Sequence, residues 1–202
     1  MDNIYTMHRL LAFVFGLVLT PALMAQITLG QMDTFQDGTV MGWAGGASPT
    51  NIATGGPFGD GDRFLRITTG FRNHLATYNT TRWSGNYAAA GVNLIQVFLK
   101  NLGSTELSMR VVLHGVNGSR WTTTKPVVLP VGSGWKQVNF RLDEAALTRV
   151  VGTGTFADAY TNVDRLMLRH STDLSSGGTT IVGQLGIDRI HARRLVSTGL
   201  KP

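Results

Sequence analysis

Clusters of turn-forming residues divide most of this chain into short segments of apolar or alternating character. Glycine accounts for 25 of the 202 residues, and charged residues make up only 15%. Gly, Asn, Ser and Pro favour turns because they adopt or stabilise turn backbone at little cost. Short segments between such turns are typical of a β-sandwich or barrel. The clusters lie at 42–51, 55–62, 101–105, 115–119, 130–134 and 175–178.

Alternation with a period of two identifies strands and their core-facing sides. Segments 63–69 and 163–170 read as strands, and 92–102 is apolar on both faces, which predicts a central strand covered on both sides. Two further strands alternate cleanly. Their predicted core-facing residues are Leu107, Met109, Val111, Leu113, Val138, Phe140 and Leu142.

One segment, 143–150, favours a helix. Asp143 is a good N-cap, and Ala145, Ala146 and Leu147 follow it. We therefore expect an all-β, antiparallel β-sandwich with about 8–10 strands and one short helix near 143–150.

The two ends of the chain are predicted to meet. Segment 33–43 and segment 183–195 each combine alternating apolar residues with a carboxylate or amide. In a closed β-sandwich the first and last strands often lie side by side. Acidic groups on such a pair can share a metal ion.

The first 25 residues have the layout of an export signal. His8 and Arg9 precede an apolar run over 10–19, Pro21 ends it, and Ala25 is a small residue suited to cleavage, although Met7 could equally be the start. A membrane anchor is the alternative, but a spanning helix needs about 20 apolar residues. We expect residues 26–202 to form one domain in the periplasm or outside the cell. The sequence contains no cysteine, which excludes disulfides and cysteine catalysis.

The net charge of +6 favours anionic partners. Nucleic acid is disfavoured by the export signal and by the lack of a Lys/Arg run longer than Arg193-Arg194. An acidic polysaccharide or an anionic cell envelope is the expected partner.

Three stretches together resemble a known family. FQDGTVMGW, WSGNYAAAGVNLIQVFLKNLG and GQLGIDRIHA resemble the galactose-binding-like jelly rolls of secreted bacterial proteins, which include many carbohydrate-binding modules. The resemblance covers almost all of 26–202 and implies an antiparallel jelly roll. Because that fold serves different ligands, it does not give the function.

The resemblance also implies a structural Ca²⁺ where the N-terminal strand, an early loop and the last strand converge. Ca²⁺ takes six to eight oxygen ligands. Many relatives carry Glu where this chain has Gln36. The alternative is that the aspartates are ordinary turn and edge residues. The candidate ligands are Asp33, Gln36, Asp60, Asp62 and Asp188.

Sugar recognition usually combines an aromatic face with planar polar groups. The chain offers Trp121 beside threonines, which suggests an exposed face, and Trp83 and Tyr87 in a Gly/Asn-rich stretch, where a packing role is the alternative. Trp43 and Trp135 follow turns and are expected to fill the core. The polar sides of the strands add Arg110, His114, Arg141 and Arg169, a set that would suit uronate or sulfate groups if they share one sheet.

The hypothesis that the protein is an enzyme has less support. Segment 26–202 contains only two glutamates, its four histidines lack metal-binding spacing, and it has no GxSxG motif. We expect an exported, non-catalytic protein similar to a carbohydrate-binding module, which recognises acidic glycans at the cell surface. The alternatives are a structural or assembly domain that contacts protein and, with less support, a glycoside hydrolase or a polysaccharide lyase; for the lyase the candidate residues are Tyr78, Tyr87, His114 and Arg110.

Overall fold

Twelve strands and two short helices make up residues 26–195, the part of the chain that the computed structural model describes. In chain order they are β1 (Met32–Asp33), β2 (Thr50–Ile52), β3 (Phe64–Thr69), β4 (Ala76–Asn79), α1 (Tyr87–Ala90), β5 (Leu94–Asn101), β6 (Leu107–Gly115), β7 (Arg120–Thr123), β8 (Val127–Leu129), β9 (Lys136–Arg141), β10 (Leu147–Val151), α2 (Phe156–Thr161), β11 (Val163–His170) and β12 (Gly183–Arg193).

The strands form two six-stranded antiparallel sheets. Sheet A has the order β2-β3-β12-β5-β9, with β1 also paired to β12; sheet B has the order β10-β7-β6-β11-β4, with β8 also paired to β6. The predicted all-β sandwich is confirmed. It has more strands than the expected 8–10 because three strands, β1, β2 and β8, are only two or three residues long and have too little alternation to be recognised in the sequence. Within residues 26–195 no helix is long and apolar enough to cross a membrane.

The core between the sheets follows the predicted alternation. All seven residues predicted to face the core are buried. β5 lies between β12 and β9, as its apolar sequence indicated. However, its outward residues Gln96, Phe98 and Lys100 are only half-buried, so that face of the sheet is not covered.

The helix predicted over 143–150 is wrong. Asp143 does accept the backbone N–H of Ala146, at 3.1 Å from Oδ1, but this closes a turn and starts no helix. The residues that follow form β10, because the β-branched Thr148, Val150 and Val151 favour a strand paired to β7. The two helices, α1 and α2, lie elsewhere.

The two ends of the domain are paired, as predicted. β1 runs antiparallel to β12, with Met32 opposite His191 and Asp33 opposite Ile190. The first strand therefore lies beside the last strand within sheet A.

The carboxylate of Asp33 holds this junction together. Its Oδ2 accepts the indole N–H groups of Trp43 at 2.8 Å and Trp83 at 2.6 Å, and its Oδ1 lies 3.1 Å from Arg82 Nη2. Burial raises the pKa of Asp33, while the two indoles and Arg82 oppose the rise. Asp33 therefore serves the core, which corrects its predicted role as a metal ligand. The prediction that Trp43 fills the core is confirmed.

Replacing Asp33 with alanine is expected to lower the free energy of unfolding by about 3 kcal/mol, because two buried indole N–H groups lose their acceptor. Equilibrium urea denaturation of the purified protein measures the change. The control Asp60→Ala removes an exposed carboxylate and is expected to stay within about 0.5 kcal/mol of the parent protein. Equal stability of the two variants would contradict the role assigned to Asp33.

Candidate functional site

The outer face of sheet B contains a cavity of about 360 Å³. Register places Arg120 on β7, His114 on β6 and Arg165 on β11 in one row across three strands. Met167 on β11 lies opposite Tyr78 on β4. Loop residues close the rim of the cavity. We call the lining side chains Tyr78, His114, Arg120, Arg165, Met167 and Arg169 the arginine cleft.

Three guanidinium groups of the arginine cleft lack a carboxylate partner. Arg120, Arg165 and Arg169 take part in none of the ion pairs found within residues 26–195. No aspartate or glutamate lines the cavity. Asp164, beside Arg165 in the chain, forms no ion pair with these arginines, but its charge interacts with Arg165 and Arg120 at longer range. The cleft therefore presents a net positive charge.

Two of these arginines keep buried donors free. Arg169 donates through both terminal nitrogens to the carbonyl oxygens of Ser175 and Ser176, but its Nε has no partner. The Nε of Arg165 also has none. Burial, with smaller contributions from Arg110 and Arg120, lowers the pKa of Arg169 to about 10. Arg169 nevertheless stays charged at neutral pH, and a buried donor without an acceptor is costly unless a ligand supplies one.

Tyr78 fixes the position of the central arginine. The guanidinium carbon of Arg165 lies 4.4 Å from the centre of the Tyr78 ring, a cation–π contact. Such a contact holds the guanidinium plane in place without using its N–H groups. Those groups remain available to a ligand.

His114 contributes a neutral imidazole. Burial, followed by the positive charges of Arg120, Arg165 and Arg169, lowers the pKa of His114 to about 3. At neutral pH one ring nitrogen is therefore a donor and the other an acceptor. This combination suits a hydroxyl group, which both donates and accepts.

The predicted arginine row is only partly realised. His114 and Arg169 lie in the cleft. Arg110 shares the outer face, but it is buried and donates to the carbonyl oxygens of Ser171 and Thr124, so it braces the loops. Arg141 lies on β9 of sheet A and pairs with Asp143 at 2.8 Å.

Sequence reasoning missed four members of the cleft as binding residues: Tyr78, Arg120, Arg165 and Met167. Of these, Tyr78 was named only for the lyase alternative. The signal for Arg165 was present, because Leu166 and Leu168 alternate with Arg165, Met167 and Arg169 in a segment that was predicted to be a strand. Which loops close the cavity depends on tertiary structure and has no such signal.

The aromatic residues predicted to bind a ligand are buried. Trp83 and Tyr87 have no exposed surface and pack in the core. Trp121 is 8% exposed, lies opposite Leu113 and packs edge-on against Phe156 at 5.4 Å. Its threonine neighbours suggested an exposed face, but the indole points inward and contacts α2. These three rings therefore leave the set of ligand-binding candidates.

A second cluster of interest lies on sheet A. Asp188 on β12 is fully buried, and neither of its carboxylate oxygens has a hydrogen-bond partner. Burial raises the pKa of Asp188 to about 7 and the charge of Asp62 adds to the rise, while the backbone N–H of Arg189 and its guanidinium, 3.9 Å from Oδ2, oppose it. Asp62 is bonded in turn to Gln36, at 2.8 Å between Oδ1 and Nε2. Three of the five predicted metal ligands are therefore close together.

The Gln36 amide would have to turn over before this cluster could hold a hard cation. The amide nitrogen of Gln36 lies among the oxygens of Thr34, Asp62 and Arg63, at 2.8–3.3 Å. Rotating this amide by half a turn would place Oε1 among those oxygens, which is favourable only around a cation. Within residues 26–195 no three His, Cys, Asp or Glu side chains form a metal-binding group, so amide and carbonyl oxygens would have to complete the set. Asp60, which is exposed, does not belong to the cluster.

Comparisons of the sequence with protein-family models and with curated proteins give no match. The fold, in contrast, matches solved structures. An exo-β-agarase matches with a TM-score of 0.58 and 10% identity, over 84% of this chain and 26% of that chain. A second agarase matches with a TM-score of 0.55 and 8% identity, over 83% of this chain and 24% of that chain.

A carbohydrate-binding module also matches, over nearly its full length. It is the family 11 module from Clostridium thermocellum, in complex with a β-1,3-1,4-mixed-linked tetrasaccharide; the TM-score is 0.52, the identity 17%, and the match covers 83% of this chain and 99% of that chain. This chain thus spans about a quarter of the agarases. At such low identity the likeness shows the fold alone. The chain has the β-sandwich fold of carbohydrate-binding modules, as the resemblance implied.

The pH dependence of stability tests the environment of His114. In the unfolded chain the imidazole takes up a proton below about pH 6.5, while in the folded protein it stays neutral down to a pKa of about 3. The stability is therefore full above pH 6.5 and is lost as the pH falls through this window. Relative to His114→Gln, we expect the parent protein to lose on the order of 3 kcal/mol between pH 7 and pH 4. Urea denaturation of both proteins at both pH values measures this difference, and equal losses would refute the assignment.

Proposed function

We propose that this protein is an exported, non-catalytic carbohydrate-binding protein that recognises acidic glycans through the arginine cleft. The observation that carries the proposal is a cavity of about 360 Å³ lined by Arg120, Arg165 and Arg169 and by no acidic side chain. The β-sandwich fold of carbohydrate-binding modules supports the ligand class. The bound tetrasaccharide of the matched family 11 module supports it too.

The charge of the cleft selects for an anionic group. Guanidinium groups bind planar carboxylates and sulfate oxygens through paired N–H donors. The guanidinium groups of Arg120 and Arg165, which line the cavity, supply such donors in a partly desolvated setting, where charge-assisted hydrogen bonds are stronger than in water. A uronate or a sulfate ester meets this requirement.

The remaining residues of the cleft suit a sugar ring beside that group. Tyr78 and Met167 provide half-buried apolar surface, which matches the C–H face of a pyranose. Neutral His114 can bond a hydroxyl as both donor and acceptor. An inorganic anion alone would leave these features unused.

Export is part of the proposal. Residues 1–25, which carry the signal-like pattern, lie outside the described residues. Their charged start, apolar run and small residue near 25 support secretion to the periplasm or beyond. That location is where an envelope or matrix polysaccharide would be met.

We also propose a structural Ca²⁺ held by Asp62, Asp188 and the amide oxygen of Gln36. When bound, the ion would neutralise the buried Asp188 and join the loop before β3 to the last strand. The two orphaned oxygens of Asp188 are the observation that supports it. The ion takes no part in binding at the arginine cleft, because the cluster lies on sheet A and the arginine cleft on sheet B.

The lyase alternative has one feature in its favour, since Tyr78 and His114 lie in the same cleft. A pKa of about 3 makes the His114 imidazole a weak base, so the cleft favours binding over proton abstraction. Incubation with a polyuronate while recording the ultraviolet absorbance of unsaturated uronate separates the two functions.

Replacing Arg165 with alanine is expected to weaken binding of an acidic glycan by about tenfold to a hundredfold, because charge-assisted hydrogen bonds are lost. Isothermal titration calorimetry with a sulfated galactan and a polyuronate measures the affinity, with neutral galactan for comparison. Arg141→Ala removes the same charge from the opposite sheet and is expected to bind like the parent protein. Equal binding of charged and neutral galactan would overturn the proposal.

Addition of millimolar CaCl₂ to chelator-treated protein is expected to raise the melting temperature by several degrees, because a ligand that binds only the folded state stabilises it. Asp188→Asn is expected to abolish this increase, whereas the exposed control Asp60→Asn retains it. Without Ca²⁺, Asp188→Asn is expected to be more stable than the parent protein at pH 8, since it removes an unpaired buried charge. A melting temperature unaffected by Ca²⁺ would rule out the ion.

A further inference from the structure

Trp135 lies on the outer face of sheet A and not in the core, which corrects the prediction that it fills the interior. The side chain is half-buried, and its indole N–H donates to the carbonyl oxygen of Gly55 at 2.9 Å. Its ring packs edge-on against Phe64 at 5.2 Å. The indole thus reaches from the start of β9 to the neighbourhood of β3.

The last strand makes room for this indole. A Cβ atom at Gly186 would lie 2.8 Å from Cη2 of Trp135, closer than such atoms approach. Any larger residue at Gly186 would push the ring off the sheet. Gly186 therefore allows the Trp135 indole to pack on the solvent-facing side of β12, outside the hydrophobic core.

Two phenylalanines extend the aromatic surface. Phe98 faces outward opposite Asp188, two residues along β12 from Gly186, which is roughly 7 Å along the strand. Phe58 is 56% exposed and packs edge-on against Phe98 at 5.3 Å. We call Trp135, Phe98 and Phe58 the outer platform.

Planar polar groups border the outer platform. Gln96 lies two residues from Phe98 on the same face of β5, and its amide nitrogen donates to Asn139 on β9 at 3.2 Å. Arg193 donates to the amide oxygen of Gln96 at 3.2 Å. These groups are solvent-accessible, and they can bond hydroxyls at the rim of a ring that rests on the aromatic side chains.

Two neighbouring arginines differ from those of the arginine cleft because protein groups already engage them. Arg189 lies 3.9 Å from the centre of the Phe58 ring and 3.9 Å from the buried carboxylate of Asp188. Arg193 is bound to Gln96. Lys100, on the same face, adds a half-exposed ammonium donor at the border. Aromatic rings beside amides and engaged guanidinium groups match a neutral sugar better than an anion.

We propose that the outer platform is a second glycan-binding site, which takes a neutral pyranose ring of a polysaccharide chain. The sugar's C–H face rests on Trp135 and Phe98, while Gln96 and Asn139 bond its hydroxyls. The site lies on the sheet opposite to the arginine cleft, so one molecule can hold two glycan chains at once.

Intrinsic fluorescence reports on this site directly. Trp43, Trp83 and Trp121 are buried, so a ligand on the outer face changes the emission of Trp135. We expect a saturable change when the protein is titrated with at least one of the neutral tetraoses of β-linked glucose, galactose, xylose or mannose. Absence of a saturable change with all four, at concentrations up to millimolar, overturns the proposal.

Two substitutions locate the binding. Phe98→Ala and Asn139→Ala each leave Trp135 in place and are expected to weaken the interaction about tenfold. Phe71→Ala removes an exposed ring elsewhere and is the matched control. Binding that all three variants leave unchanged, or that an excess of acidic glycan displaces competitively, would place the neutral sugar in the arginine cleft and refute a second site.

Discussion

The fold depends on one buried carboxylate where the chain enters the sandwich. Asp33 accepts two indole N–H groups through a single oxygen and pairs with Arg82. These partners come from separate loops, and the rings of Trp43 and Trp83 pack against each other at 6.1 Å. Because the carboxylate has no access to water, its charge is tolerated only while all three partners are present. This requirement fixes β1 beside β12 in sheet A.

Buried groups with complete sets of partners must be distinguished from buried groups without them. The side-chain nitrogens of Arg110 all donate to carbonyl oxygens, and Asp33 accepts two indole N–H groups through Oδ2 and forms an ion pair with Arg82 through Oδ1, so both residues position loops. Arg165, Arg169 and Asp188 are not satisfied, and each retains at least one buried polar atom that bonds nothing. Such atoms cost free energy in the unliganded protein. A ligand of opposite charge removes that cost, so the unsatisfied groups are the ones to connect with binding.

The sequence allowed the core to be predicted better than the surface. Alternation placed Leu107, Val111 and Phe140 correctly because burial between two sheets imposes a period of two. The same rule placed Arg169 and His114 on the outer face of sheet B. It could not show that Arg141 belongs to the other sheet, since strand order is set by long-range pairing. Burial of Trp121 was missed because its contact with Phe156 spans 35 positions in the chain.

The outer faces of the two sheets differ in the kind of ligand that their side chains suit. On sheet B the cations have no carboxylate partners and the aromatic ring of Tyr78 is used to hold Arg165. On sheet A the arrangement differs, because Arg189 and Arg193 are engaged by protein groups and the rings of Trp135 and Phe58 remain partly open to solvent. All six residues of the arginine cleft and Phe98 of the outer platform lie on strands, which limits the conformational entropy lost on binding. A sandwich with free outer faces can therefore carry two binding chemistries that do not compete for the same residues.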